Sequence, residues 1–515
     1  MKRRFQWSFT ALFVASVVMA AGCSDKGEDD PQPPEPDTAV FMDDELTAPA
    51  EGGDVVLRIK ANKAWKLEMP VNKDYLHGEL HARNGEAGEC RVVFTAFANV
   101  AETARTTTFR LTAGRATPTE IVVRQEPMGF ELPTEAEVRA YLMRLYEATD
   151  GPNWRFKGKW GSDLPLSQWG SEVKYENGRL SLNLTEHYLK GKIDLSGCKA
   201  LVKLKCNKNQ VTEIDVSGCP LLTEIEATSA GISRINVSGC HSLRKLHVGY
   251  NNLSDIDVGW CTTLEELRVE NNHLTRLDVS RCVSIKEISC AANRIAALEI
   301  PYRQNLRGLW CYENELRTLD VSDSPWLGMF NCGDNALEKL NVRGCIRMYA
   351  LWCYSNRLTE IDCSDSKATL GAYYCFSNRL RKIDVSGFRK LHELHCSDND
   401  ITSINLEGCD GLGWLYCAYN RLDKLDLSGL DPRIMARIDV TGNRLLAIDL
   451  TPFKHLFHLW CKGTRTTGEI PTEFDGFEDF EHDARYEYLE GSGGYVDRGY
   501  GWWYPGEPEK RSHTR

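Results

Sequence analysis

The chain has 515 residues, 42% of them hydrophobic and 26% charged, with 73 acidic residues against 62 basic ones and a net charge of −11. That length exceeds a single compact core, so two or three units are expected, unless the chain grows in one dimension as a solenoid does. The acidic residues are spread along the chain and no block of Lys and Arg occurs, which argues against nucleic acid as a partner.

In chain order, the N-terminus reads as a leader. Lys2, Arg3 and Arg4 precede an apolar run from Phe9 to Ala21, then Gly22 and Cys23, so residues 1–22 have signal-peptide form and are too short for a mature membrane span. Ala20-Ala21-Gly22-Cys23 resembles a bacterial lipobox, and the resemblance implies that Cys23 becomes a lipid-modified N-terminus that ties the chain to a membrane. The stretch from Ser24 to Asp30 resembles the acidic export tract of surface lipoproteins in the Bacteroides group. It implies an outer-membrane, lipid-anchored protein facing the cell exterior; an ordinary secretory leader and a periplasm-facing lipoprotein are the alternatives. With the Pro-rich Pro31 to Pro36, residues 23–37 form a solvated tether.

Residues 38–127 alternate apolar and polar in short runs, as in Val55-Val56-Leu57-Arg58-Ile59 and Thr107-Thr108-Phe109-Arg110-Leu111, separated by Gly52-Gly53 and Gly114. This pattern predicts a small antiparallel β-sandwich. The Gly-Gly opening, Trp65, Arg105 and the closing Ile121-Val122-Val123-Arg124-Gln125 resemble a BACON domain, an immunoglobulin-like module whose family name implies carbohydrate binding. No cluster of exposed aromatics stands out here, so a spacer with Trp65 in its core is the expectation. Residues 128–179 then turn helical: Thr134 and Glu137 form a capping box, and Val138, Leu142 and Leu145 share a face before Gly151-Pro152. Leu145 to Trp154, with Trp160, Trp169 and Asn177-Gly178-Arg179-Leu180, resembles the N-terminal cap of bacterial leucine-rich-repeat proteins, which implies that these Trp residues cover the first coil.

From 180 to 464 the phrase Leu-Xaa-Cys-Xaa-Xaa-Asn returns every 21 residues from Asn251 to Asn356, and again at Asn378, Asn399, Asn420 and Asn443. A fixed period near twenty with Leu and Asn at constant offsets is the leucine-rich repeat, in which each turn adds one strand to a stacked solenoid. About fourteen coils are expected, mainly β, with the Leu-Xaa-Xaa-Leu-Xaa-Cys part on the concave side. The Asn side chains should turn inward to satisfy backbone groups. The return half, as in Leu277-Asp278-Val279-Ser280, has room for a short convex strand and none for a helix. Sixteen of the 19 cysteines fall in two columns of the repeat, Cys206 to Cys461 exchanging with Val, and Cys198 to Cys409 exchanging with Ser or Phe. Parallel neighbours aim alongside one another, which suits buried free thiols better than disulfides or a metal site. This variant resembles the cysteine-ladder leucine-rich repeats of internalin-like surface proteins, and the resemblance implies a surface-displayed binding protein.

The outward positions of the concave strands change character along the chain. The residue before the Cys position runs from Lys205, Glu226, His247 and Arg268 to Trp310, Trp352, Tyr374, His395, Tyr416 and Trp460. Tyr312, Tyr354 and Phe376 occupy the next outward column, and Trp414 and Tyr419 flank the same side. Side chains two apart on a strand share a face, so these eleven residues predict a contiguous exposed aromatic surface of roughly 35 Å over eight strands. A large exposed apolar patch marks a binding site, although stacked rings that merely stabilise neighbouring strands are the plainer alternative. Catalytic motifs are lacking, no cofactor or metal is implied, and pairs such as Glu224 with Glu226 or Glu266 with Glu270 sit among cations as a solvated face. Residues 465–515 are an aromatic tail, with Tyr486, Trp502, Trp503 and Tyr504, expected to seal the last coil. The expected function is recognition at the cell surface: adhesion to a protein partner, with glycan capture as the alternative.

Overall fold

The computed structural model describes residues 36–467 apart from 70–77, 81, 157, 301, 302, 455, 457 and 463. The leader, Cys23 and the aromatic tail from 468 therefore lie outside the described residues. Among the described residues no helix is long and apolar enough to cross a membrane.

The N-terminal unit is two sheets around one core. Ala39–Phe41, Gly53–Ala61, Gly88–Ala96 and Gly78–Leu80 lie in that spatial order in one sheet; Glu45–Ala48, Thr119–Gln125, Arg105–Ala113, Trp65–Glu68 and Asn84–Gly85 make the other. Strict alternation sends Val55, Leu57 and Ile59 of the first and Phe109, Leu111, Ile121 and Val123 of the second into that core. There Phe94 meets Phe109 edge to face at 5.0 Å. Trp65 is buried, its indole filling the space that Gly85 leaves open, so it serves the core and offers no ring face to solvent. One pairing departs from the antiparallel expectation: Glu45–Ala48 runs parallel to Thr119–Gln125. The chain changes sheets between Phe41 and Glu45 and so reaches the last strand running in the same direction.

The helix Glu135–Ala148 begins where the capping box predicts. Glu137 N–H donates to Thr134 Oγ1 at 3.3 Å and Thr134 N–H donates to the Glu137 carboxylate at 2.7 Å. Val138, Leu142 and Leu145 are buried with Trp154 and Trp169. Both indoles keep their N–H bonded, to Thr149 O at 2.8 Å and Leu164 O at 3.1 Å, which is how such large rings are buried without loss.

The solenoid starts with a hairpin, Val173–Glu176 antiparallel to Arg179–Asn183. From Arg179–Asn183 to His458–Trp460 the concave sheet is one parallel ladder of fourteen strands. Its register never slips after the second strand: Leu204, Ile225, Leu246, Leu267, Ile288 and Leu309 stand in line. Behind them the strand-column cysteines such as Cys206 and Cys290 are fully buried, and burial pushes both thiols up to about 12. Every described cysteine is a free thiol. In the turn column the thiols donate to the previous coil, Cys219 to Leu195 O at 3.3 Å and Cys409 to Val385 O at 2.9 Å; Ser366 in the same column gives its hydroxyl to Cys345 O at 2.8 Å, whereas the buried Ser324 hydroxyl has no such partner among the described residues.

The Asn ladder satisfies the turns. Asn272 accepts from Leu253 N–H at 2.9 Å and donates to Val248 O and Val269 O at 3.0 Å each. One coil has Ala230 where Asn is due, and its neighbour compensates: Asn251 Oδ1 takes the N–H groups of Ala230, Gly231 and Ile232 together. The residue before each ladder Asn is left-handed, at φ from 49° to 56° from Lys208 to Tyr419, though it is seldom glycine. On the return side, pairing is intermittent. Convex strands ladder at Lys190–Asp194, Gln210–Asp215 and Arg234–Asn236 and in three later pairs, while the turns through Ile256, Leu277 and Leu298 carry none. The recurrent Asp marks where the return side turns: Asp278 accepts from Ser280 N–H at 2.8 Å, as Asp194, Asp362 and Asp426 do in their coils, so a convex strand that forms, such as Lys190–Asp194, ends at its Asp in an Asx turn. Cys363, placed in a convex strand by its sequence position, instead precedes the 3-10 turn Ser364–Ser366; the extra residue of that 22-residue coil is taken up after Ser366, before the strand that pairs Ala350 with Ala372. The last convex strand is Arg465–Thr467, so the repeat runs slightly past 464.

Candidate binding face

Because the register is constant, the outward residues of the concave strands form columns along the whole ladder, and the columns divide into two chemistries. In the N-terminal coils charges neutralise one another across neighbouring strands. Lys203 reaches Glu224 at 2.6 Å, Lys205 reaches Glu224 and Glu226 at 2.8 Å, and Lys245 reaches Glu266 at 2.6 Å. Burial works against ionisation of Glu224, yet its bonds from Lys203 and Lys205 hold the carboxyl down to about 2. His247 stands 3.3 Å from Glu266, and its pKa is lowered by burial and then by Arg268, against the pull of Glu266 and Glu226. Glu270 departs from the solvated face expected of it. Burial raises its carboxyl, opposed by a bond with Ser289, and it lies beside Tyr250 and Tyr312, whose phenols burial also raises.

From Trp310 onward the columns turn aromatic. Tyr354 lies flat on Phe376, with centroids 4.8 Å apart and planes 2° from parallel; Phe376 stacks on His395 at 4.4 Å; His395 meets Tyr416 at 5.1 Å. Beside that row Trp352 stacks on Tyr374 at 6.2 Å, and the Tyr374 hydroxyl donates to the Glu393 carboxylate. At the C-terminal end Tyr416 is 6.3 Å from Trp460, which stacks on His458 at 5.2 Å. His395 is walled in by rings, and burial drives its imidazole down to about 3, so it is neutral at pH 7. Trp414 carries the Arg437 guanidinium 4.3 Å above its ring.

The structure corrects the expected exposure. Tyr354, Phe376 and Tyr416 are buried, with 1%, 6% and 9% of their surface exposed, because each is covered by the ring of an adjacent coil. Trp310, Tyr312, Trp352, Tyr374, His395, Trp414 and Trp460 are half-buried, and Tyr419 alone of the eleven is well exposed. The continuous open surface is therefore a two-row stack whose inner row serves the fold. Sequence reasoning also passed over the small residues that allow this. The Trp310 ring lies across Gly308, where a Cβ would come within 2.4 Å of it; Tyr354 lies across Gly333, and Tyr419 across Gly442. Small residues two before a Trp on the same strand, as at Gly308 and Ala350, were the available signal. The face offers stacking, apolar burial and hydrogen bonding; among the described residues no group of three or more His, Cys, Asp or Glu side chains is placed to hold a metal ion.

Among solved structures, the functional domain of InlJ from Listeria monocytogenes, described as including a cysteine ladder, is similar at 29% identity with a TM-score of 0.52; the match covers 56% of this chain and spans 64% of that one. YopM, a leucine-rich effector protein from Yersinia pestis, is 18% identical over 66% of this chain and 98% of its own, with a TM-score of 0.48. The leucine-rich repeat domain of APL1 is 19% identical over 48% of this chain and 72% of its own, with a TM-score of 0.34. Comparison with protein-family models and with curated proteins gives no match. The chain is a mainly β leucine-rich-repeat solenoid with a cysteine ladder similar to that of InlJ, behind a small N-terminal β unit.

Proposed function

We propose that the chain is a recognition protein, held at the outer membrane by lipid on Cys23, that takes a protein partner on the aromatic half of its concave face. The N-terminal sandwich, BACON-like in sequence, then acts as a spacer between anchor and solenoid. The observation that carries this reading is the set of rings in one register between Trp310 and Trp460, continuous from Trp352 through Tyr374 and His395 to Tyr416 and interrupted only by Asn331 and Asp439, over roughly 35 Å. Leucine-rich-repeat solenoids use such extended concave surfaces to bind, generally protein ligands, and Trp and Tyr supply much of the energy at interface centres.

A glycan is the second reading, on one observation. The Trp310 indole lies across Gly308, and Trp352 stands two strands on, roughly 10 Å away. One flat ring per disaccharide suits an extended sugar chain. The test is to screen the chain against paired host-protein and glycan arrays beside a variant carrying Trp310→Ala, Trp352→Ala and Trp460→Ala. Protein hits lost in a variant that still unfolds in one cooperative transition well above the assay temperature support the first reading, and glycan hits lost the same way support the second. Hits retained by the variant would reduce the rings to a structural stack.

A further inference from the structure

A second patch, of different chemistry, lies where each turn climbs into its concave strand. Its backbone is a ladder of its own: Gly328 N–H donates to Arg307 O, Tyr349 to Gly328 O and Gly371 to Tyr349 O, each at 2.9 Å, and His392 to Gly371 O at 2.8 Å. Large and empty positions alternate along it. The Tyr349 ring therefore lies across Gly328 and the His392 ring across Gly371, each where a Cβ would collide with it. One column further out, the Arg347 guanidinium sits 3.8 Å from the ring centre of Trp326 on the preceding turn. Trp326, Ile346 and Tyr349 are 47%, 52% and 50% exposed. Three large apolar side chains in water on neighbouring turns form a patch of the kind that marks an interface.

Cations surround it. Arg307, Lys367, Arg389 and Lys390 are exposed on the same flank, and among the described residues neither they nor Arg347 enters an ion pair. The acids nearby are Asp323 and Asp365 in the turns, Asp410 on the turn after Arg389, Glu393 beside His392, and Glu287, which acts on the Tyr349 phenol and is paired with Arg268 at 3.8 Å; Asp365 already accepts from Gly344 N–H at 2.8 Å. The flank thus has a slight local excess of positive charge in a chain whose net charge is −11.

We propose that this flank docks an acidic protein segment that also bears apolar side chains, laid along the solenoid axis over five turns, or roughly 20 Å. Charge complementarity selects the acidic partner and brings it in. Apolar side chains on that partner cover Trp326 and Ile346, which a bare polyanion leaves in water. A neutral glycan has no use for the cations. The surface is separate from the concave rings, so the docking stands whether or not those rings bind anything.

The probe is a short labelled peptide alternating Glu with Leu and Trp, titrated against the full chain by fluorescence anisotropy, with polygalacturonate as competitor. Two exposed-site variants, Arg347→Glu with Lys390→Glu and Trp326→Ala with Ile346→Ala, should each bind roughly tenfold more weakly. The triple concave-face alanine variant should bind as the parent does. Peptide affinity unchanged in both flank variants overturns the proposal. So does polygalacturonate that displaces the peptide at equal charge and binds the apolar variant as well as the parent, which would reassign the flank to polyanions. Should a double variant fail to fold, Lys390→Gln and Ile346→Ser carry the same comparison singly.

Discussion

The two halves of the concave face share one backbone and differ only in what it displays. Strands Glu224–Glu226 and Glu393–His395 have the same length, the same buried centre and the same parallel register with their neighbours. The first displays carboxylates held by Lys203 and Lys205; the second displays His395 among rings and Glu393 under a phenol. The ladder of Leu, Cys and Asn is thus indifferent to its outward cargo. A charged half neutralises itself and stays wet, with each exposed pair contributing little, whereas an aromatic half gains from every ring laid on the next.

The sharpest way to break this comparison is to remove one ring and one charge. Phe376→Ala, at a position covered by Tyr354 and His395, should destabilise by about 3 kcal/mol in urea unfolding, as for a buried aromatic. Glu266→Ala, which breaks the contacts to Lys245 and His247, should stay below about 1 kcal/mol and shrink in high salt. Equal losses would mean that the rings add nothing beyond a surface ion pair.

The shared frame gives the next effect in size. Asn272→Leu in the charged half and Asn420→Leu in the aromatic half should each cost roughly 2–3 kcal/mol, since each leaves buried amide and carbonyl groups unmet. A much larger loss at Asn420 would show that the stack depends on its turn.

Acid should separate the halves as well. His395 has a folded pKa near 3, below its ordinary 6.5, so the unfolded chain binds the extra proton between those values. Stability present above pH 6.5 therefore falls as pH drops, by about 1.4 kcal/mol per pH unit for this one group. His395→Phe should flatten the dependence of the urea midpoint between pH 6.5 and about pH 5. An unchanged slope would place the acid sensitivity elsewhere. Smallest of all, Ala292→Gly relieves a left-handed residue at φ 51° and should stabilise by at most about 1 kcal/mol, partly offset by the looser unfolded chain.

Much of this could be read before any coordinates. The capping box at Thr134 and Glu137, the buried Trp154 and Trp169, the thiol columns and the inward Asn all follow from side-chain type at a fixed spacing. The return side was harder. Leu-Asp-Val-Ser makes the same Asp-to-Ser turn at Asp278, where no convex strand forms, and at Asp320, where Thr318–Asp320 is one, so the phrase does not tell which coils pair on that side. Nor did the sequence pattern disclose the rescue of Ala230 by Asn251, since the two lie 21 residues apart and meet only across coils.

The repeat by itself determined the solenoid, its period, its core and the order of chemistries along its concave face, because a 21-residue unit stacked in register can place each column in only one way. What only the tertiary structure decided was exposure. Whether Tyr354 or Phe376 faces solvent depends on the ring one coil away and on a glycine such as Gly333 beneath it. Burial is set by neighbours in space, which a column of letters does not contain.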